Sequence, residues 1–225
     1  MSAGALIVFE GAEGAGKSSQ IRRLLGRLER AGLNALAVRE PGGTAVGDEV
    51  RRLLLDPASD IEPRAEALLF MASRAQLVRR EIGPAVAAGR VVIADRFFLS
   101  TYAYQAAGRG LPEEEIRAVN GFATSGLVPS LTLLLQVSPE IGLRRAARRR
   151  GGHDRMEASG RAFHDRVADA FARFATPEWQ REHPECGPVV AIDAGGSEGG
   201  VSRRVDEALK AALPETFRDL RGSES

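Results

Sequence analysis

The chain has one cysteine, Cys186, in 225 residues. That excludes an internal disulfide and a metal cage built from cysteine thiolates. Its three histidines, His153, His164 and His183, are not spaced as a metal motif. No run of 18 apolar residues occurs, and no basic-then-apolar segment opens the chain. Neither a membrane span nor a secretory leader is expected, so the chain reads as cytoplasmic. An excess of one charge is missing too. The 31 Lys and Arg against 30 Asp and Glu leave a net charge of +1. That balance sets up no global field toward nucleic acid or an anionic membrane, so any cationic function must be local. No internal repeat is found. The length suits one large domain that buries its own core.

What is present begins at residues 11–18, Gly-Ala-Glu-Gly-Ala-Gly-Lys-Ser, directly after the apolar run Ala5–Phe9. The pattern G-x-x-x-x-G-K-S predicts a buried strand, a glycine-rich turn and a helix opening near Gly16. Glycines let backbone N–H groups converge on phosphate oxygens, and a helix N-terminus adds its positive dipole end. Lys17 is placed as a point charge on terminal phosphates, and Ser18 as a hydroxyl for Mg²⁺. The bland alternative is a strand–helix turn with a solvated lysine.

Short, non-alternating runs of Val, Ile and Leu recur at Leu6–Phe9, Ala35–Val38, Val91–Ala94, Leu131–Val137 and Val189–Ile192. Strands buried on both faces read this way. Helical stretches separate them at about 17–31, 46–55, 64–88, 112–125, 139–149, 160–182 and 201–212. The alternation predicts an α/β fold with a five-stranded parallel sheet and helices on both faces. Pro41-Gly42-Gly43 breaks the chain after the second strand, and a polar loop covers Gly195–Gly200. One domain over 1–213 is expected, with a flexible tail over 214–225.

In an open parallel sheet, ligands bind beyond the carboxyl ends of the strands. Polar residues gather there: Glu13 in the glycine turn, Arg39-Glu40-Pro41-Gly42-Gly43-Thr44 after the second strand, and Asp95-Arg96 after the third. Asp95 can reach a Mg²⁺ hydration shell, or else cap the next helix. Arg96 suits bidentate phosphate contact, or else a surface ion pair. Arg144, Arg145, Arg148, Arg149, Arg150, Arg155 and Arg161 form a basic run. It reads as a solvated helix face, a nucleic-acid patch, or a lid hinged at Gly151-Gly152 that carries arginine to a phosphoryl group. Phe70 and Arg74 lie four apart on one helix face. By spacing alone, Phe70 reads as core, with a base-stacking platform as the alternative.

Five segments together resemble the thymidylate (dTMP) kinase family of P-loop nucleoside monophosphate kinases. They are Phe9–Ser18, Arg39–Thr44, Leu68–Arg74, Asp95–Gln105 and Asp154–Glu157, in the family's order. The resemblance implies a three-layer P-loop fold with an acceptor region at about 39–75 and a mobile lid at about 146–160. It implies transfer of a phosphoryl group from MgATP to dTMP. On that basis Gly11, Gly14, Ala15, Gly16, Lys17, Ser18, Ser19 and Arg148 would hold ATP. Ser18 and Asp95 would serve Mg²⁺. Glu13 would take the acceptor 3′-hydroxyl, and Arg39 and Arg96 the acceptor phosphate. Phe70 would stack on thymine, Arg74 would donate to a thymine carbonyl, Thr101 and Gln105 would face the base edge, and Ser100 would also bind the substrate. Tyr104 would crowd a ribose 2′-hydroxyl. Lys17, Asp95, Arg96 and Arg150 would be catalytic, with Arg148 and Arg155 as the next arginines to consider. The resemblance implies a homodimer, with ATP and dTMP as its partners and no nucleic acid or membrane. Two departures stand out. Gln136 occupies a strand end where related kinases carry aspartate, and Phe97 stands where tyrosine or histidine is common. The alternatives are a kinase for another nucleotide or deoxynucleoside, and a P-loop ATPase switch.

Overall fold

The computed structural model describes residues 4–146, 155–218 and 220. Strand β1 (Ala5–Glu10) runs through a glycine turn into helix α1 (Lys17–Arg30). Strand β2 (Ala35–Arg39) leads to α2 (Ala45–Leu55), whose start is capped by Thr44 Oγ1 accepting from Gly47 N. Helix α3 (Pro63–Leu77) continues through a wide π turn, Val78–Ile82, into α4 (Gly83–Ala87). The wide turn precedes Pro84, which has no N–H to donate. Then follow β3 (Val91–Asp95), α5 (Phe98–Thr101) running into a π-helical stretch at Tyr102–Gly108, and α6 (Glu113–Thr124). The chain ends with β4 (Leu131–Gln136), α7 (Pro139–Ala146), α8 (Arg161–Phe174), α9 (Pro177–Glu182), β5 (Val189–Asp193), α10 (Glu198–Ala212) and α11 (Pro214–Phe217).

The five strands form one parallel sheet in the order β2-β3-β1-β4-β5. Alternate residues of the central strands face opposite layers, as the pleat requires. Leu6, Val8, Val92, Ala94 and Leu134 pack with Leu77, Leu99, Phe163, Phe171 and Phe174. Ile7, Phe9, Ile93, Leu133 and Leu135 pack with Ile21, Leu24 and Leu28 of α1, and with Val201, Val205 and Leu209 of α10. Burying a Leu, Ile or Phe contributes about 1.5–3 kcal/mol over leaving it exposed. The three central strands therefore anchor the sheet. The edge strand β2 departs from the expected two-sided burial: it pairs on one side only, and Ala37 and Arg39 are exposed.

Other boundaries differ for local reasons. The helix expected over 160–182 is two, because Thr176 caps α9 and Pro177 fills its first turn. Helix α10 opens at Glu198 because Ser197 Oγ accepts from Gly200 N. A flexible tail is expected from residue 214, and the described residues there depart from that expectation. Pro214 begins a helical turn, and Phe217 and Leu220 are buried against the α1–α10 layer. The helical segment at 98–108 had no counterpart in the sequence pattern. Of the expected lid, residues 147–154 lie outside the described residues.

Candidate active site

The glycine turn sits in the middle of the sheet, where β1 lies between β3 and β4. Its glycines are required sterically. Gly11 has φ 135°, and a Cβ there would lie 2.3 Å from Leu135 O. Gly14 has φ 72°, and its Cβ would meet Gly142 O at 2.2 Å. The turn thus folds tightly against β4 and α7, which leaves the N-terminus of α1 open to an anion. Lys17 is buried, and its Nζ donates to Gly11 O at 2.8 Å and Ala12 O at 3.1 Å. Ser18 is exposed, and its Oγ donates to Asp95 Oδ2 at 3.1 Å. A hydroxyl and a carboxylate side by side are hard oxygen donors of the kind Mg²⁺ takes when substrate phosphates supply further ligands. Among the described residues no cluster of three His, Cys, Asp or Glu side chains forms a metal cage.

Two recesses flank Lys17 and Ser18. One is lined by Gly14, Ala15, Gly16, Ser19, Arg145 and Ala194, with Arg145 Nη1 donating to Ala194 O at 3.1 Å. The other is a cavity of about 270 Å³. It brings together Glu13, Lys17, Ser18, Arg39, Phe70, Arg74, Asp95, Arg96, Ser100, Thr101, Tyr104 and Gln105. Phe70 is only half-buried and forms part of this wall, so the core reading of Phe70 does not hold.

Arg96 has φ +75°, an uncommon conformation for a side-chain-bearing residue. The turn is held because Arg96 N donates to Phe9 O at 3.0 Å. Its guanidinium donates to Ser100 Oγ at 2.9 Å and lies 5.1 Å above the Tyr104 ring. Ser100 Oγ in turn donates to Glu10 Oε2 at 2.6 Å. Glu10 is fully buried and its Oε1 accepts from Phe97 N at 2.7 Å and Ser100 N at 3.0 Å. These are unpaired N–H groups at the start of α5, so Glu10 caps that helix from a neighbouring strand. Asp95 does not take that role.

Arg74 is buried and all five of its N–H hydrogens are met by protein acceptors. Nε bridges both oxygens of Glu40 at 3.0 and 2.8 Å. Nη1 donates to Thr101 Oγ1 at 2.9 Å and to Asn120 Oδ1. Nη2 donates to Phe97 O at 2.8 Å and to Glu40 Oε2. The expected donation from Arg74 to a base carbonyl therefore finds no spare hydrogen, because Glu40 and Asn120 absorb the cation. Burial pushes the Glu40 carboxyl above its ordinary value, against the pull of Arg74. Phe97 provides no polar side-chain contact, but its ring lies 4.8 Å from the Arg74 guanidinium.

Gln105 Nε2 donates to Glu66 Oε1 at 2.9 Å. Glu66 also accepts from Arg109 Nε at 3.1 Å, Arg109 Nη2 at 2.9 Å and Arg155 Nη2 at 2.6 Å. Burial works to raise the Glu66 pKa, but Arg109, Gln105 and Arg155 outweigh it and hold it below the ordinary value. Arg155 is thereby spent on Glu66 and on Leu54 O at 2.8 Å, which removes it as a phosphate-directed arginine. Arg144 and Arg161 are exposed. Arg148 and Arg150 lie outside the described residues.

Sequence reasoning missed Glu10, Glu66, Asn120 and Arg109, and placed Glu40 at the strand end without giving it a role. Glu10 carried a signal, because a charged residue ending a wholly apolar central strand must find partners. Glu66 carried none: beside Glu62 and Arg64 it reads as an ordinary helix surface residue.

A family model described as thymidylate kinase matches residues 9–183. A thymidylate kinase of Deinococcus radiodurans is 50% identical over 181 residues, covering 80% of this chain and 87% of that protein. One from Synechococcus sp. (strain JA-3-3Ab) is 47% identical over 209 residues, covering 92% and 96%. One from Rhizorhabdus wittichii is 43% identical over 213 residues, covering 94% and 99%.

Proposed function

The chain belongs to the thymidylate kinase family, and on that premise we propose that it transfers the γ-phosphoryl group of MgATP to dTMP, giving ADP and dTDP. One observation carries the reading at the level of the site. Lys17 and Ser18 of the phosphate turn line the same cavity as Phe70, Thr101 and Gln105, with Arg39 and Arg96 on its wall. A nucleotide base at Phe70 and a triphosphate on the turn would thus direct their phosphates toward each other.

The acceptor is an anionic phosphate oxygen, so no base or covalent intermediate is needed. Catalysis is alignment and neutralisation of charge. The N–H groups at the start of α1 and Lys17 hold the donor phosphates. Arg39 and Arg96 hold the acceptor phosphate, and Glu13 meets the sugar. Ser18 and Asp95 would hold Mg²⁺, which when bound supplies charge neutralisation on the donor phosphates. Arg150 is assigned to the phosphoryl group in flight, following the family resemblance. ADP release measured across dTMP, dUMP, dCMP, dAMP and dGMP tests the reading. Selective turnover of dTMP is expected, and equal rates with and without any acceptor would refute it.

The protein is further read as cytoplasmic and as a homodimer. Among the described residues no helix is long and apolar enough to cross a membrane. Leu68 on α3 and Phe122 on α6 are 58% and 89% exposed on two helices packed together. An apolar face of this kind suits a second copy. Sedimentation of Phe122→Asp should show a monomer, and an unchanged mass would refute this interface.

A further inference from the structure

Glu66 is fully buried and does not line the acceptor cavity, yet it touches two groups that do matter to it. One is Gln105, a cavity residue held through Nε2 at 2.9 Å. The other is Arg155, which leads into Met156 and Glu157 on the cavity wall. The chemistry of the Gln105 contact is one-directional. A carboxylate crowded by two guanidinium groups only accepts hydrogen bonds. The amide nitrogen of Gln105 must therefore face Glu66, and the amide oxygen is left for the cavity. Among the described residues that oxygen makes no hydrogen bond.

We propose that Glu66 is a positioning residue that sets base specificity, by fixing the Gln105 amide with its oxygen toward the acceptor base. A pure acceptor at the cavity wall matches a base with a ring N–H at that edge, as in thymine and uracil. It opposes the bare ring nitrogen of cytosine, which is itself an acceptor. A site built to hydrogen-bond one pattern rejects the other because buried polar groups are left unpaired. This assignment rests on dTMP being the acceptor.

The test is kcat/KM for dTMP and for dCMP in wild type, Glu66→Gln and Glu66→Asp. A glutamine at 66 offers either an N–H or a C=O, so the Gln105 amide is free to turn. The dTMP-to-dCMP preference of Glu66→Gln should fall about tenfold, the net worth of one ordinary hydrogen bond, while Glu66→Asp, which keeps the acceptor, retains it. A purely structural role would lower both substrates equally and leave the ratio unchanged, and that result would overturn the proposal. Should Glu66→Gln fail to fold, the same ratio is read in Glu66→Gln with Arg155→Gln, which removes the surplus positive charge. A wild type that phosphorylates none of the pyrimidine monophosphates would sink the function itself. A wild type active on dTMP with an unmoved variant ratio sinks only the role of Glu66.

Discussion

Replacing Glu10 with alanine should cost this protein a large part of its stability, and the amount can be built from the contacts. Glu10 is fully buried and accepts three hydrogen bonds, from Phe97 N, Ser100 N and Ser100 Oγ, at 2.7, 3.0 and 2.6 Å. Alanine leaves two backbone N–H groups at the start of α5 without a partner. Each buried orphan costs roughly 1–3 kcal/mol. The Ser100 hydroxyl can rotate toward another acceptor, so its loss is smaller. Removing a buried carboxylate also returns some desolvation energy. The sum is about 3–5 kcal/mol, against a total of about 5–15 kcal/mol for a domain. Glu10→Gln keeps one acceptor oxygen for both N–H groups and loses only charge-assisted strength, about 1–2 kcal/mol. Urea unfolding followed by circular dichroism gives both values, provided the m-value is unchanged. The same variants should raise KM for dTMP, because Ser100 would no longer hold the Arg96 guanidinium in place. A loss under about 1 kcal/mol in Glu10→Ala would refute the reasoning, since the helix start would then be capped by something else.

Lys17→Ala should lower kcat by about 10²–10³-fold, the scale of removing one fixed donor to developing charge; coupled ADP release reads it, and a drop under tenfold counts against a phosphate role. Phe217→Ala should destabilise by about 3–5 kcal/mol through an unfilled cavity, while kcat/KM per folded molecule stays at the wild-type value. Thermal melts against that substitution would show no change if the segment after Leu213 were loose. Glu66 titrates below its ordinary value of 4.5 in the folded protein. Its contribution is therefore complete above the unfolded-chain pKa and drains away as pH falls through the lower folded one. Melting temperatures taken from pH 7 down to 3 should fall more steeply in wild type than in Glu66→Gln, and parallel slopes would contradict the pairing.

The sheet was legible because its strands are apolar on both faces and separated by helix-length gaps. Their observed bounds differ from the apolar runs by a residue at most, as in Ala5–Glu10 against Leu6–Phe9. The phosphate turn was legible because close backbone approach restricts residue type, and Gly11 and Gly14 admit no Cβ. What escaped was whatever a distant residue decides. The segment at 98–108 lacks a local cap, so no start signal appears in its own sequence, and the cap arrives from Glu10 on β1. The role of Arg74 was misjudged for the same reason. Spacing puts it beside Phe70, but its partners Glu40 and Asn120 lie 34 and 46 residues away. Residues 214–220 read as solvated chain in the sequence because a single Phe217 gives no periodicity.

Arg74, buried, and Arg96, half-buried, separate into different kinds by what neutralises them. Strands β2, β3 and β1 are neighbours, and Arg39, Asp95 and Phe9 stand in one register row. The next residue of each strand end, Glu40, Arg96 and Glu10, is therefore carried to the same edge. Arg74 meets Glu40 there as a paired ion with every hydrogen used, so it has little to offer an incoming anion. Arg96 meets neutral acceptors instead, Ser100 Oγ and the Tyr104 hydroxyl, and forms no ion pair among the described residues. Arg39, exposed at the rim, forms none either. An unpaired guanidinium in a partly dry cavity gains most from a doubly charged phosphate, which matches its donors two at a time. The difference is measurable. Arg96→Lys should weaken dTMP binding through lost bidentate contact while leaving folding stability within about 1 kcal/mol. Arg74→Lys should do the reverse, because it strands Glu40 with fewer donors in a buried network. Equal kinetic and stability losses in both variants would show that pairing state does not distinguish the two arginines.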